Sequence, residues 1–310
     1  MFAAFEALEV QPTTRNICAV VAVVQQESGF QVDPVVPGLP AMARKEIDER
    51  AARYHIPRPV VDLALNVNSP DGRSYAERLQ KARTERALSD MFEDFIGAVP
   101  LGRRLFADLN PVRTGGPMQV SIAFAESQVK TRSYPFPLEG GVRSEVFTRR
   151  GGLYFGIAHL LDYPVSYDSM LYRFADFNAG HYASRNAAFQ QAVSALSGAR
   201  LAIDGDLLRE GSSEPSQTEL AVRKLGERIG LGERQIRRDL ERGTEHEFEE
   251  TQLYRGVFEL ADARGAAPRA VVPSIRLQSV KITRQLTTDW FARRVDDRYR
   301  RCLQSSPRPD

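Results

Sequence analysis

The pattern of apolar and polar positions predicts a chain built almost entirely of helices. Its most apolar stretch covers residues 16–30, where valines such as Val20 and Val24 recur at helical spacing and small or apolar residues fill the other faces. Such a helix should lie inside the protein rather than on its surface. Its C-terminal end then delivers one carboxylate, Glu27, to the edge of an apolar core, where burial disfavours the charged form and suits a general acid.

Amphipathic patterns predict further helices along the chain, separated by turns rich in glycine and proline. The pattern over 41–65 is interrupted at Pro57 and Pro59, and Ser74 caps a long helix that reaches Ile96. Additional helices are predicted at 101–109, 145–161, 167–189, 218–229, 233–242, 248–260 and 287–303, and a short strand at 275–282.

Two glycine-rich stretches in the middle of the chain interrupt these regular patterns. Residues 114–121 predict a glycine turn that runs into a helix through Ala125. The helix from 145 contains Gly151, Gly152 and Gly156, which lower its intrinsic helicity. We expect these glycines to allow close packing of another helix.

Composition places the chain among globular proteins with a sizeable core. Of its 310 residues 42% are apolar and 26% charged, and 42 basic against 40 acidic side chains give a net charge of +2. The net charge is therefore too small to indicate binding to nucleic acid or to anionic lipid. The longest apolar run, 17–24, is too short to cross a bilayer. No signal peptide is visible at the N-terminus, which favours either a cytosolic protein or numbering that starts inside a mature chain.

The two cysteines leave the cellular compartment open. Cys18 lies in the predicted buried helix and Cys302 near the end of the chain. We expect Cys18 to be a small buried thiol rather than a disulfide partner, although a pair closing the whole chain stays an alternative.

Four short segments carry the residues that suggest chemistry. In chain order they are Gln26-Glu27-Ser28-Gly29-Phe30, Gly116-Pro117-Met118-Gln119-Val120, Ala175-Asp176-Phe177-Asn178-Ala179-Gly180 and Glu250-Thr251-Gln252-Leu253-Tyr254. The first resembles the Glu-Ser motif of the soluble-type lytic transglycosylases, relatives of goose-type lysozyme that cut bacterial peptidoglycan. The others are similar to that family's Gly-Leu-Met-Gln, Ala-Tyr-Asn-Ala-Gly and Glu-Thr…Tyr motifs, with Pro117 replacing Leu and Phe177 replacing Tyr. The whole chain also looks like a group of uncharacterised bacterial envelope lipoproteins.

The resemblance implies a mainly α, lysozyme-like fold. A catalytic domain would cover 1–265, with a helical insertion at 33–110, and a C-terminal extension at 266–310 would pack on it. The insertion separates the first two motifs, and we expect it either to cap the cleft or to bind an envelope protein. The implied location is the periplasm or the outer membrane, through an anchor that is not visible in this chain.

The resemblance also assigns roles to individual residues. Glu27 would act as the catalytic acid and base on the bond between N-acetylmuramic acid and N-acetylglucosamine, giving 1,6-anhydro ends. The substrate-binding set would comprise Ser28, Met118, Gln119, Phe177, Asn178 and Tyr254. Tyr254 would orient Glu27, whereas Ser28 has a second interpretation as a helix cap. Phe177 lacks the family's hydroxyl and is expected to serve packing.

Peptidoglycan strands are the expected partner, with no cofactor and no metal. The four histidines, His55, His159, His181 and His246, are scattered and predict neither a metal site nor a catalytic triad. Three alternatives stay open. The first is a lysozyme-type hydrolase on the same fold, and the second is a catalytically silent glycan-binding or scaffold protein. The third is a helix-turn-helix at 220–242, whose intermingled charges make nucleic acid an unfavoured partner.

Overall fold

The computed structural model describes residues 1–98, 110–276 and 286–306. This part of the chain is mainly helical, with a single two-stranded sheet, which confirms the predicted fold class at that level. The predicted helix at 101–109 and most of the predicted strand at 275–282 lie outside the described residues. Over the described ranges, every helix is either too short or too polar to traverse a lipid bilayer.

The chain divides into two compact units. The first comprises Met1–Gln11 and Val24–Ala158, and the second comprises Pro12–Val23 and His159–Asp310. The predicted division into a domain at 1–265 and an extension at 266–310 stays a prediction.

The first unit contains the N-terminal helices, a hairpin and the glycine-rich helix. Its elements are α1 (Phe2–Ala7), the end of α2 (Thr14–Glu27), α3 (Leu39–Arg53), α4 (Arg58–Leu65), α5 (Tyr75–Lys81), α6 (Glu85–Ala98), β1 (Thr114–Gly115), β2 (Val120–Ser121), α7 (Ile122–Thr131), α8 (Gly141–Val146) and most of α9 (Arg149–Leu161).

The predicted long helix from Ser74 to Ile96 is wrong, because the chain breaks it into α5 and α6. Ser74 begins α5 as predicted, through a capping box in which its hydroxyl accepts from Glu77 and its amide donates to the Glu77 carboxylate. Ala82 then adopts an extended conformation, and the Thr84 hydroxyl accepts from the Ala87 amide at 3.3 Å. A second N-cap therefore starts a new helix where the sequence pattern continues.

Strands β1 and β2 form an antiparallel hairpin with Thr114 opposite Ser121 and Gly115 opposite Val120. The register leaves residues 116–119 as the connecting loop. The Ser121 hydroxyl then caps α7 by accepting from the Phe124 amide at 3.3 Å. The predicted glycine turn leading into a helix is confirmed, with the hairpin as an addition.

The second unit is a helical assembly around one apolar cluster. Its later elements are α10 (Met170–Ala179), α11 (Ala183–Ser197), α12 (Gln217–Arg223), α13 (Gly226–Ile229), α14 (Glu233–Glu241), 3-10 turns at Arg242–Thr244 and His246–Glu250, α15 (Gln252–Asp262) and α16 (Thr288–Ser305). The cluster joins α11, α12, α14 and α15 through residues such as Phe189, Val222, Ile236 and Val257. The predicted helix at 167–189 is split at Gly180, whose φ of +107° only glycine adopts without strain.

A disulfide joins Cys18 of α2 to Cys302 of α16, with Cα atoms 5.5 Å apart. Both cysteines belong to the second unit. The expectation of a buried free thiol at Cys18 is therefore wrong. Two cysteines so distant in sequence gave no local signal, because only the tertiary packing of α2 and α16 brings them together.

Candidate functional site

Glu27 is the last residue of helix α2 and is partly exposed. The preceding residues Cys18 to Val24 are buried except for Val21, as the sequence predicts for an interior helix. Ser28 follows and is only 7% exposed, so its hydroxyl forms its hydrogen bond within the protein. Both its amide and its Oγ donate to the Val24 carbonyl at 3.0 Å, so the Ser28 side chain fixes the helix end as a cap.

The chain leaves α2 through two consecutive left-handed residues. Gly29 has a φ of +57° and Phe30 a φ of +68°. A phenylalanine in this region is strained, since its Cβ crowds the backbone. The two left-handed residues directly after Ser28 thus end the helical conformation of α2.

Gln119 closes the hairpin loop in a left-handed conformation, with φ at +50°. Its backbone amide donates to the Gly116 carbonyl at 3.1 Å, and its side-chain Nε2 donates to the same oxygen at 3.3 Å. The Thr114 hydroxyl donates to Gln119 Oε1 at 3.4 Å. The predicted substrate-binding amide is therefore engaged in holding its own loop together.

The hairpin loop sits against the glycine face of α9. A Cβ built on Gly152 would lie 2.5 Å from Cδ of Pro117, and one built on Gly156 would lie 2.3 Å from Sδ of Met118. The prediction that these glycines allow close packing of a helix is confirmed for Gly151 and Gly152, which face α8. The hairpin loop also packs on Gly152 and is the neighbour of Gly156. Met118 is fully buried, so its side chain supports the loop from behind.

Phe177 and Asn178 lie at the C-terminal end of α10. Phe177 is 9% exposed, and its carbonyl accepts a hydrogen bond from His159 Nε2 at 3.2 Å. Asn178 is exposed, and its Oδ1 accepts from the Thr288 hydroxyl at 2.9 Å. Phe177 thus serves packing, as expected, while Asn178 links α10 to α16.

Sequence reasoning missed the buried carboxylate beside this pair. Asp176 is fully buried and accepts hydrogen bonds from Tyr163 at 3.2 Å, from Tyr167, and from the Ser184 amide at 2.7 Å. Burial raises the pKa of Asp176, although these hydrogen bonds oppose the shift. Its position between Ala175 and Phe177 in the third motif was the available signal.

Two histidines also come together here, contrary to the expectation that they are scattered. The rings of His159 and His181 stack at 4.6 Å, and His181 stacks on Tyr163 at 3.9 Å. His181 Nε2 donates to the His159 carbonyl at 2.7 Å. Burial, and then the neighbouring His181, lower the pKa of His159 to about 3, and burial lowers that of His181. Both rings are therefore neutral at pH 7.

Tyr254 lies in the first turn of α15, which Thr251 caps by accepting from the Tyr254 amide at 3.1 Å. It is 6% exposed and packs beside Phe189, Phe248 and Phe258. Burial raises the pKa of Tyr254, so its hydroxyl stays protonated. This environment makes it a core residue with one polar end.

A buried guanidinium holds the segment that leads to Tyr254. Arg185 of α11 is 1% exposed and lies over the rings of Tyr182 and Phe248. It donates to the carbonyls of Gly243 at 2.6 Å and Glu245 at 2.8 Å. These hydrogen bonds satisfy backbone carbonyl oxygens in the 3-10 turns. In a regular helix or strand, backbone amides would donate to such oxygens.

The predicted site residues thus form four local groups. Glu27, Ser28, Met118 and Gln119 belong to the first unit, and Phe177, Asn178 and Tyr254 belong to the second. The structure joins Met118 and Gln119 on one loop and Phe177 and Asn178 at one helix end. Within the described ranges, no group of three His, Cys, Asp or Glu side chains has the arrangement needed to hold a metal ion.

Comparison with known proteins gives one family and one curated relative. The profile of a family described as "Protein of unknown function (DUF1615)" matches residues 1–305. The "Uncharacterized protein YaiW" of Escherichia coli (strain K12) is 57% identical over 302 residues, which cover 97% of this chain and 82% of that protein. No solved structure matches the chain.

Proposed function

The chain belongs to the DUF1615 family, and we propose that it is a peptidoglycan lytic transglycosylase in which Glu27 is the acid and base. The observation that carries this proposal is the position of Glu27. It is a partly exposed carboxylate at the end of a largely buried helix, directly before a side chain that caps that helix. A carboxyl group whose backbone is held at the end of a buried helix could give its proton to a leaving sugar oxygen.

Three further observations support the proposal. The four motifs occur in the order of the similar motifs in soluble-type lytic transglycosylases, and each lies where an element begins or ends or in a turn. The second motif forms a tight loop held by glycines on α9, and the third ends α10 at Gly180. The Cys18–Cys302 disulfide supports a location in an oxidising compartment such as the periplasm.

The proposed reaction uses a single carboxyl group in two steps. Protonated Glu27 gives its proton to the glycosidic oxygen while the substrate's own N-acetyl oxygen attacks the anomeric carbon, so the sugar bond breaks. Glu27, now a carboxylate, removes the proton from the sugar 6-hydroxyl. The 6-oxygen then displaces the acetamido oxygen, which gives a 1,6-anhydro end without consuming water and returns Glu27 to its protonated form.

Digestion of purified sacculi by wild type and Glu27→Gln tests this proposal. We expect wild type to release anhydro-muropeptides and Glu27→Gln to lose this activity by at least a hundredfold, since loss of general acid–base catalysis costs 10²–10⁴-fold. The matched control is Glu126→Gln, which removes an exposed carboxylate on α7. Both variants should keep the wild-type circular dichroism spectrum. Undiminished turnover by Glu27→Gln would rule Glu27 out.

The environment of the other motif residues argues against the substrate contacts assigned to them and leaves a second candidate, a glycan-binding protein without catalysis. The amides of Gln119 and Asn178 are already bonded within the protein, Met118 is buried, and Phe177 lacks a hydroxyl. Under this alternative wild type binds sacculi but releases nothing, and Glu27→Gln binds equally well. Products that carry an added water would instead identify a hydrolase. Mass spectrometry of the digest separates the three outcomes.

A further inference from the structure

Helix α16 presents two different flanks beside its buried face. The side chains that face the interior recur at helical spacing and are Thr288, Phe291, Ala292, Val295, Asp296 and Tyr299. On one flank each arginine has a carboxylate one turn before it, with Arg293 bound to Asp289 at 2.8 Å and Arg300 to Asp296 at 2.7 Å. That flank is electrically balanced.

The other flank carries Trp290, Arg294, Arg298 and Arg301, spaced four, four and three residues apart. We call it the arginine stripe. The Arg294 guanidinium lies 5.4 Å from the centre of the Trp290 ring, which is 38% exposed. Over the part of the chain that the structure describes, none of the three arginines has a carboxylate within ion-pair distance. Three cations thus line one side of the helix without an ion pair, although the carboxylate of Asp297 lies near them and attracts Arg298 through space.

Arg298 shows that this arrangement is unfavourable in the isolated protein. Its Nη1 donates to the Arg294 carbonyl at 3.2 Å, but its Nε is buried and has no acceptor among the described residues. Burial, and then repulsion by Arg294 and Arg301, lower the pKa of Arg298, while Asp297 attracts it only through space. An anionic partner at the surface would relieve the repulsion among these three guanidinium groups.

The stripe is part of a fixed surface. Cys302, one residue after Arg301, is bonded to Cys18, and α16 packs along α10 within the same unit. The helix therefore cannot rotate to find carboxylates elsewhere. From Trp290 to Arg301 the stripe extends about 16 Å at 1.5 Å per residue. A straight row of this length suits an extended anionic surface better than one small anion.

We propose that the arginine stripe docks the protein on an anionic phospholipid surface. Guanidinium groups bind phosphate oxygens in a bidentate manner, and long arginine side chains reach headgroups while their stems lie on apolar surface. Tryptophan prefers the level of the headgroups, which explains an exposed indole at one end of the row. With a net charge of only +2 on the whole chain, this attraction is local to α16.

Trp290 is the only tryptophan of the chain, so its fluorescence reports binding directly. Wild type is titrated with vesicles of phosphatidylcholine and with vesicles containing 30 mol% phosphatidylglycerol. We expect a blue shift of the emission with the anionic vesicles alone, and its loss at high salt. Arg294→Gln/Arg301→Gln should weaken partitioning roughly twenty- to thirtyfold, about fivefold for each arginine.

The matched control is Arg293→Gln/Arg300→Gln, which removes the same charge from the same helix but from the balanced flank. It should retain binding within about threefold of wild type. An equal loss of vesicle affinity in both double variants would show that only net charge matters, and it would refute a specific role for the arginine stripe. Binding to heparin or an acidic peptide without binding to vesicles would overturn the lipid proposal and show that the stripe recognises another polyanion. Absence of any vesicle binding by wild type would also refute the proposal.

Discussion

The Cys18–Cys302 disulfide should account for a large share of the stability of the second unit. It closes a loop with a sequence separation of 284 residues. In the loop-entropy description a closure of this length restricts the unfolded chain by about 5–6 kcal/mol at 25 °C, and measured losses on removing native disulfides are about 2–5 kcal/mol. We therefore expect Cys18→Ala/Cys302→Ala to lower the free energy of unfolding by about 2–5 kcal/mol.

Urea unfolding followed by Trp290 emission measures this loss, because α16 carries both Trp290 and Cys302. Wild type is unfolded with and without reductant, alongside the double alanine variant. Reduced wild type and the variant should agree within about 1 kcal/mol, since the alanines remove little buried volume. The variant itself should be indifferent to reductant, which serves as the control. Reduced and oxidised wild type with the same midpoint would refute the reasoning.

Two further predictions concern packing and protonation. His159→Gln keeps a donor for the Phe177 carbonyl but removes a group whose pKa is about 3 in the folded protein and about 6.5 when unfolded. Because the unfolded state then binds more protons, wild type should lose stability as pH falls from 6.5, by about 1–2 kcal/mol at pH 5 from this ring. Unfolding at pH 7.5 and 5.0 should show a smaller difference in the variant, and an unchanged difference would contradict the assignment. Gly156→Ala should cost about 1–3 kcal/mol through its clash with Met118. In thermal unfolding, the loss in the Gly156→Ala/Met118→Ala double variant should be smaller than the sum of the two single losses, whereas strictly additive losses would disprove the contact.

Features set by neighbouring residues could be predicted from the sequence. The interior character of α2 follows from an apolar pattern on all its faces, and the start of α5 follows from the Ser74–Glu77 capping box. The C-terminal helix α16 was likewise predicted within a residue or two at each end. In each case the residues that determine the structure lie within one or two turns of each other.

Features set by tertiary packing could not be predicted. The break between α5 and α6 contains neither glycine nor proline, and the only local hint is the N-cap residue Thr84. The end of α10 at Gly180 interrupts a pattern that reads as one continuous helix. The stacking of His159 on His181 joins a residue of α9 to one in the turn between α10 and α11, for which spacing in the sequence carries no information.

The candidate site shows the same division. The positions of the motif residues at element ends could be inferred, but their surroundings could not. The cap of Ser28 on the Val24 carbonyl lies within one turn and agrees with one interpretation of the sequence, but Met118 is buried because Gly156 of another element leaves room for it. Such choices depend on which atoms the fold brings within reach.

Arg185 has a consequence for how mutations would spread through the second unit. One side chain on α11 replaces the pairing that a strand or a helix would give to the carbonyls of Gly243 and Glu245. The turns after α14 therefore derive their shape from a residue far earlier in the chain. A substitution of Arg185 would disturb the segment before Tyr254. A mutational screen limited to the fourth motif would then attribute the effect to the wrong residues.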